Sequence, residues 1–391
     1  MTESCDIAII GAGLVGASLA AALGPSGLNV ALVEPRTPVA PSDAWDSRIY
    51  AVSPGSAAFL ANVGAWQGVN AEPMTRVGRV ETMRIFGDEP STRLEFSAYE
   101  AGLSELAFIA ESGRLQSALW HCVSHAPHVR IFCPAKCDAL LQHADYSEVV
   151  LEGGVTLRAK LVVGADGAQS WVREQAGIKA NAHDYAQSAV VANFACVLPH
   201  HGVAFQWFRA DGVLALLPLP GNRASMVWST TEAHAQALLA LNAGALAQRV
   251  SEASDNVVGA LELITPAAAF PLRLQRVEAF AKPRLALVGD AAHNVHPLAG
   301  QGVNLGFRDA RELAAVLCDR GAQNDCGDYA LLRRYERARR EDVLSMQLAT
   351  DGLQKLFASQ AVWLSRTRNL GMRMVESLPL IKKLLVKHAV A

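Results

Sequence analysis

Strong net charge is missing from this chain: 35 Lys and Arg against 37 Asp and Glu leave −2 over 391 residues. No basic excess therefore argues for nucleic acid as a partner. Long hydrophobic runs are missing too. Although 51% of the residues are hydrophobic, no stretch has the length and uniform apolarity of a membrane span. The apolar residues 7–23 tempt a signal-peptide reading, but no Lys or Arg precedes Arg36, so the positively charged start of such a peptide is lacking. The seven cysteines are scattered and odd in number. Cys133 and Cys137 have no second pair nearby, which removes the usual zinc pattern, and reduced, mostly buried thiols in a reducing compartment are expected. Repeats, low-complexity tracts and long linkers are absent. What remains is a globular, cytoplasmic protein with enough chain for two or three domains' worth of core.

What is present is glycine beside acid, at the ends of apolar runs. Residues 5–10 read as a strand, Gly11-Ala12-Gly13-Leu14-Val15-Gly16 follows, and residues 17–23 read as a helix. A second strand over 29–33 ends in Glu34. This is a dinucleotide-binding fingerprint in its required context. Its first glycine allows the turn, the second lets a pyrophosphate approach, the third lets helix pack on strand, and the acid accepts ribose hydroxyls. Two further stretches repeat the strand, glycine-acid turn, helix order. A hairpin over 149–163, turning at Gly153-Gly154, runs into Gly164-Ala165-Asp166-Gly167. Residues 285–309, LALVGDAAHNVHPLAGQGVNLGFRD, pass from a buried strand through Gly289-Asp290 and a loop ending Gly300-Gln301-Gly302 into a helix at Val303. Such a helix start offers free N–H groups and a positive dipole end, so it stabilises negative charge on a ligand.

Between these turns the texture changes. Residues 77–108 alternate weakly and read as strands of a second layer, and 183–272 read as an antiparallel sheet, plausible as a substrate floor, with a helical insert at 232–253. The sheet interrupts the nucleotide domain. Ser53-Pro54 fits a helix cap over 55–63. Residues 111–123 read as a helix with Arg114 in its first turn, where a dipole would prefer an acid. After Tyr329 the chain reads as helical. Arg333, Arg334, Arg337, Arg339 and Arg340 with Glu336, Glu341 and Asp342 read as a solvated face. Near the end Leu380, Ile381, Leu384 and Leu385 oppose Lys382, Lys383 and Lys387, a pattern equally suited to a membrane surface or to docking on the domain.

Taken together, the GxGxxG with Glu34, GADGAQSWVR at 164–173 and GDAAHNVHPLAGQGVNLGFRDA at 289–310 resemble the class A FAD-dependent monooxygenases, the aromatic hydroxylase group. Within that group the third motif resembles the ubiquinone-biosynthesis hydroxylases, which act on polyprenylated phenols. Shorter matches at 46–53, 111–119, 212–219, 270–272 and 335–342 extend the likeness over nearly the whole chain. The resemblance implies an α/β fold like p-hydroxybenzoate hydroxylase, in which a Rossmann-type FAD-binding domain (1–76, 109–180 and 273–328) is interrupted by an antiparallel substrate domain (77–108 and 181–272). A helical region, 329–391, completes the chain.

The same resemblance implies roles. Gly11, Ala12, Gly13, Gly16 and Glu34 would hold the ADP half of FAD, and Arg48 and Arg114 would contact its ribose, phosphates or flavin side. Asp166 would place FAD and assist use of NAD(P)H, and Asp290 would accept the ribityl hydroxyls. Pro297, Gly300, Gly302, Val303 and Asn304 would line the flavin. The implied chemistry is ring hydroxylation through a C4a-hydroperoxyflavin, with O₂ as co-substrate and NAD(P)H or another electron donor. His293 and His296, with Pro297 beside them, are the candidate catalytic residues, though a loop histidine often only bonds backbone. No metal site is implied. Association with a quinone-biosynthesis complex or the inner-membrane surface, and a homo-oligomer, stay open. So do three other readings: a small soluble aromatic as substrate, a flavin halogenase or prenyl-chain reductase, and an idle scaffold. No WxWxIP motif supports the halogenase.

Overall fold

Four strand ends define the architecture. In an eight-stranded sheet, strands Val129–Phe132, Val30–Val33, Thr2–Ile10, Thr156–Gly164 and Leu285–Leu287 lie side by side and parallel in that order. Their residues are nearly unbroken apolar runs, as strands covered on both faces require: Ile7, Ile9, Leu32, Val162 and Leu285 are fully buried. The register lines up Val33, Ile10, Gly164 and Leu287 as neighbours across the sheet. The hairpin expected around Gly153 forms, with Ser147–Leu151 antiparallel to Thr156–Gly164. Helices Leu14–Ala22, Ser112–Ser124 and Gly302–Cys318 belong to the same core. This computed structural model describes residues 1–69, 76–87, 93–294, 302–321 and 324–358, with 382 and 386; at 183 and 349–358 the backbone alone is described.

A nine-stranded sheet forms the second layer, with Ala268–Val277, Ala180–Cys196, Arg223–Thr231, Gly212–Leu219 and Val203–Arg209 at its centre. It is antiparallel as expected except where Val203–Arg209 meets Thr82–Phe86 in parallel. One face buries Phe194, Met226 and Trp228 against helices Glu232–Leu239 and Ala243–Ala253. The opposite face carries Ala204, Ala215 and Leu217 against a small sheet made of Ile49–Val52, Gly78–Val80 and Ala107–Glu111. The reading of 77–108 as one set of second-layer strands is thereby corrected: Gly78–Val80 joins the small sheet and Ala98–Ala101 is a helix. Gly78 also lets the small sheet lie close on the larger one, because a Cβ there would stand 1.9 Å from Pro218 O.

Helix Tyr329–Ala358 requires a second correction. Arg333, Arg334, Arg337, Arg340 and Glu341 face solvent as expected, but Glu336 and Arg339 are buried at 2% and 5% exposure. They share an inward stripe with Tyr335 and Val343, at helical spacing, and find partners there. Apart from Lys382, the basic C-terminal stretch from Leu380 to Lys387 falls outside the described residues for every residue named above. Among the described residues no helix is long and apolar enough to cross a membrane.

Candidate active site

Because four neighbouring parallel strands end in register, the residues just beyond each of them are brought into one row at the carboxyl edge of the sheet. After Val33 comes Glu34; after Ile10, the glycine loop; after Gly164, Ala165-Asp166; after Leu287, the Gly289-Asp290 turn. The carboxyl edge is where open α/β sheets bind ligands.

Each glycine of the first loop has a separate physical task. Gly11 has φ +101°, and a Cβ there would lie 2.5 Å from Ala165 O. Gly16 packs so tightly that a Cβ would stand 1.9 Å from Gly11 O. Gly13 is different: it is exposed, and an added Cβ meets nothing within 4 Å. Gly13 is also the N-cap of helix Leu14–Ala22, which carries no side-chain cap and no acid in its first turn. The N–H groups of that turn have no acceptor within the helix. Glu34 closes the loop from the side, its Oε2 accepting from Ala12 N–H at 2.8 Å, while Gln116 Nε2 donates to Ala12 O at 2.7 Å.

Asp166 is held by one oxygen: Oδ2 accepts from Val172 N–H at 3.0 Å, whereas Oδ1 is buried with no hydrogen-bond partner among the described residues. Burial pushes its carboxyl above the usual range. Asp290 keeps an exposed surface although much protein packs around its carboxyl. Burial raises its carboxyl as well, against the opposing pull of His293 and Arg48. The Arg48 guanidinium stands 5.4 Å from the ring centres of both Tyr50 and Phe270. Burial likewise pushes the Tyr50 phenol up. Tyr50 and Asp290, both shifted and both coupled to Arg48, mark this neighbourhood as a candidate functional site.

The Gly289–Ala291 turn leads out of the parallel sheet and into His293–Asn294, which pairs with Ala268–Val277 of the nine-stranded sheet. The turn therefore spans the junction of the two layers. His293 is 3% exposed and its Nε2 lies 2.6 Å from Asp309 Oδ2. Gly302 and Val303 open helix Gly302–Cys318, and among the described residues a Cβ on Gly302 would meet nothing within 4 Å. Asn304 is buried: Ser53 N–H donates to its Oδ1 at 2.9 Å and its Nδ2 donates to Ala51 O at 2.8 Å. The expected Ser53 cap is present, its Oγ accepting from Ser56 N–H at 3.2 Å. His296, Pro297 and Gly300 lie outside the described residues.

Several residues of the site escaped the sequence reading. Glu111 is buried at 2% exposure and accepts from Asp46 N–H, Arg76 and Arg114 at 2.7, 2.9 and 3.2 Å. It thereby ties Arg114 to the loop that bears Arg48. Asp46 reinforces that loop, accepting from Arg48 N–H and Gly113 N–H. Asp309, Arg339 and Gln116 were missed as well. One signal was legible: Asp309 stands inside the third motif.

The residues present fit FAD. A glycine path without Cβ atoms, an uncapped helix start, an acid at the end of the second strand and a buried carboxylate oxygen without a partner lie along one edge. Comparisons agree. Residues 4–347 match the FAD binding domain family. The chain is 38% identical to 3-demethoxyubiquinol 3-hydroxylase of Escherichia coli, over 99% of this chain and 98% of that protein. It is 35% identical to ubiquinone hydroxylase UbiL of Rhodospirillum rubrum, over 98% and 89%. The solved structure of p-nitrophenol 4-monooxygenase PnpA from Pseudomonas putida superposes with a TM-score of 0.79 at 19% identity, covering 100% of this chain and 99% of that one. The fold is thus p-hydroxybenzoate hydroxylase-like. The chain belongs to the class A FAD-dependent monooxygenases, with the ubiquinone-biosynthesis hydroxylases, and is itself an FAD-dependent hydroxylase.

Proposed function

We propose that the enzyme hydroxylates the ring of a polyprenylated phenol in ubiquinone biosynthesis. The carrying observation is the in-register row of Glu34, the Gly11–Gly16 loop, Asp166 and Asp290, combined with likeness to ring hydroxylases along the full chain. Gly11, Ala12, Gly13, Gly16 and Glu34 take the ADP half of FAD, with the pyrophosphate over Gly13 and the N–H groups of the following turn. Arg48 and Arg114 complete the phosphate and flavin side. Asp166 offers its free oxygen to the cofactor, and Asp290 accepts the ribityl hydroxyls. Gly302, Val303 and Asn304 present backbone to the flavin edge, Asn304 keeping its side chain for the 51–53 turn.

Bound FAD supplies the redox step: the phenol, O₂, a two-electron donor such as NAD(P)H and a proton give the hydroxylated ring, the oxidised donor and water. The protein orients the ring, stabilises negative charge at the helix start and keeps water out. Segments 77–108 and 181–272 form the substrate domain, 1–76, 109–180 and 273–328 hold the cofactor, and helix Tyr329–Ala358 of the C-terminal region packs beside the cofactor domain. His293 acts as a positioning residue, its Nε2 being engaged by Asp309. Because a prenyl tail keeps the substrate in lipid, the enzyme works in the cytoplasm at the inner-membrane surface.

The test is complementation of strains that each lack one ring hydroxylase, with quinone intermediates identified by mass spectrometry. Restored quinone in one strain names the ring position. Failure in every strain, together with turnover of a simple hydroxybenzoate, moves the activity to small soluble aromatics. A purified protein that cannot be reconstituted with FAD overturns the reading.

A further inference from the structure

Asp309 sits two turns into helix Gly302–Cys318 and is completely buried. Its Oδ2 accepts from Gly289 N–H at 2.8 Å and lies 2.6 Å from His293 Nε2; its Oδ1 accepts from Arg339 Nε at 2.6 Å. One carboxylate thus grips the Gly289–Ala291 turn at both ends, just before Asp290 and just after the turn closes. The grip matters because this point has no slack. Gly289 has φ +61°, and a Cβ on it would stand 3.1 Å from Val15 Cγ2. A Cβ on Gly306 would stand 2.5 Å from the same atom. Turn, glycine-loop helix and Gly302–Cys318 therefore meet in contact, and a displaced Gly289 carries Asp290 with it.

Arg339 comes from a different element, helix Tyr329–Ala358. It also donates NH1 to Asp342 Oδ2 at 2.6 Å, and Arg308 lies 3.4 Å from the same carboxylate. From the same inward stripe, Tyr335 donates its hydroxyl to Leu287 O at 2.8 Å, and Glu336 accepts from Phe280 N–H at 3.0 Å. The helix braces the strand end at Leu287 directly and the turn beyond it through Asp309; further along, Gln347 Nε2 donates to Asn294 O at 3.3 Å and to Gln275 O at 3.1 Å, and Gln275 Nε2 donates to Asp290 O at 3.1 Å.

We propose that Asp309 is the positioning residue of the Gly289–Asp290 turn, and that Arg339 on the C-terminal helix locks it in place for cofactor binding. This rests on the assignment of Asp290 to FAD. The experiment titrates FAD into the apoprotein of Asp309→Asn, Arg339→Gln and Glu336→Gln, following flavin fluorescence, the visible circular dichroism of the bound flavin and the thermal unfolding of each apoprotein. Asp309→Asn and Arg339→Gln should weaken FAD binding about tenfold or more, the scale of a lost hydrogen bond to a charged group, and alter the flavin dichroism. Glu336→Gln, a buried change on the same helix, should lower stability yet leave affinity and dichroism as in wild type. Wild-type affinity in a folded Asp309→Asn or Arg339→Gln protein overturns the proposal. So does an equal loss in Glu336→Gln, which would reduce the helix to general support. If Asp309→Asn does not fold, the comparison of Arg339→Gln with Glu336→Gln decides. A wild-type protein that takes up no FAD would instead count against the assignment of Asp290.

Discussion

Replacing glycines in the first loop by alanine, one at a time, separates ligand space from packing space. At Gly13 the backbone is extended, φ −64° and ψ −174°, a conformation alanine adopts freely, and the added methyl meets nothing within 4 Å. Two small terms then oppose each other in the apoprotein. Alanine is a poorer N-cap than glycine by roughly 0.5–1 kcal/mol, while the stiffer unfolded chain returns about 0.4–1 kcal/mol. The net change should stay within about 0.5 kcal/mol. The methyl nevertheless occupies the approach to the free N–H groups. Losing one charge-assisted hydrogen bond, about 1.5–3 kcal/mol, weakens FAD binding roughly 10- to 100-fold. Gly16→Ala should behave oppositely. Its Cβ would stand 1.9 Å from Gly11 O, where ordinary contact begins at 3.4 Å, so backbone must move. Overpacking of this kind costs about 1–3 kcal/mol or more, visible in urea unfolding of the apoprotein. The reasoning fails if Gly13→Ala binds FAD like wild type, or if it destabilises the apoprotein as much as Gly16→Ala does.

Glu34→Gln keeps an oxygen for Ala12 N–H but removes the charge facing the ribose, so FAD affinity should fall about tenfold in the same titration, with little loss of stability. Glu111→Gln leaves the buried Arg76 without its carboxylate and should cost about 3–5 kcal/mol in urea unfolding; a loss under 1 kcal/mol, by the scale of a surface pair, would show that the cluster is not a hub. Acid unfolding tests the Asp309 cluster. Burial raises the Asp309 and Asp342 carboxyls, but for Asp309 His293 and Arg339, and for Asp342 Arg339 and Arg308, outweigh it and hold both below the ordinary range. Groups depressed on folding add stability that is fully present above the unfolded value, about 4, and lost as pH falls through the folded one. Apoprotein stability should therefore drop below about pH 4, less steeply in Asp309→Asn. An unchanged acid limb in that variant would show that Asp309 is not part of the linkage.

Much of the cofactor edge was legible because its demands are local. A turn at φ +101°, a helix start that must stay bare and a strand that must be apolar each select residue types within a few positions. Hence Gly11, Gly13, Gly16 and Glu34, the hairpin at Gly153-Gly154 and the Ser53 cap could be read from spacing. The interruption by an antiparallel sheet was legible from the change of period. What spacing did not show was Glu111 as a hub, because one glutamate before a helix looks like any other; its partners Asp46 and Arg76 arrive from other segments.

The sequence by itself determined a glycine fingerprint with Glu34 and two strands that end in glycine-acid turns, and the resemblance carried by these motifs implied the cofactor class. Only the tertiary structure decided that Val33, Ile10, Gly164 and Leu287 end level, which turns separate motifs into one edge. It also decided the partners of two polar residues, His293 and Arg339. His293 stands in the third motif, where the sequence offers a base or a loop-shaping histidine; packing of helix Gly302–Cys318 sets its Nε2 2.6 Å from Asp309 Oδ2. Arg339 stands in a run of charges and suggests a solvated face; the helix turns it inward onto the same carboxylate. Whether a polar side chain is buried depends on finding a partner within hydrogen-bond reach, and that partner lies 16 residues from His293 and 30 from Arg339, at separations no local period encodes.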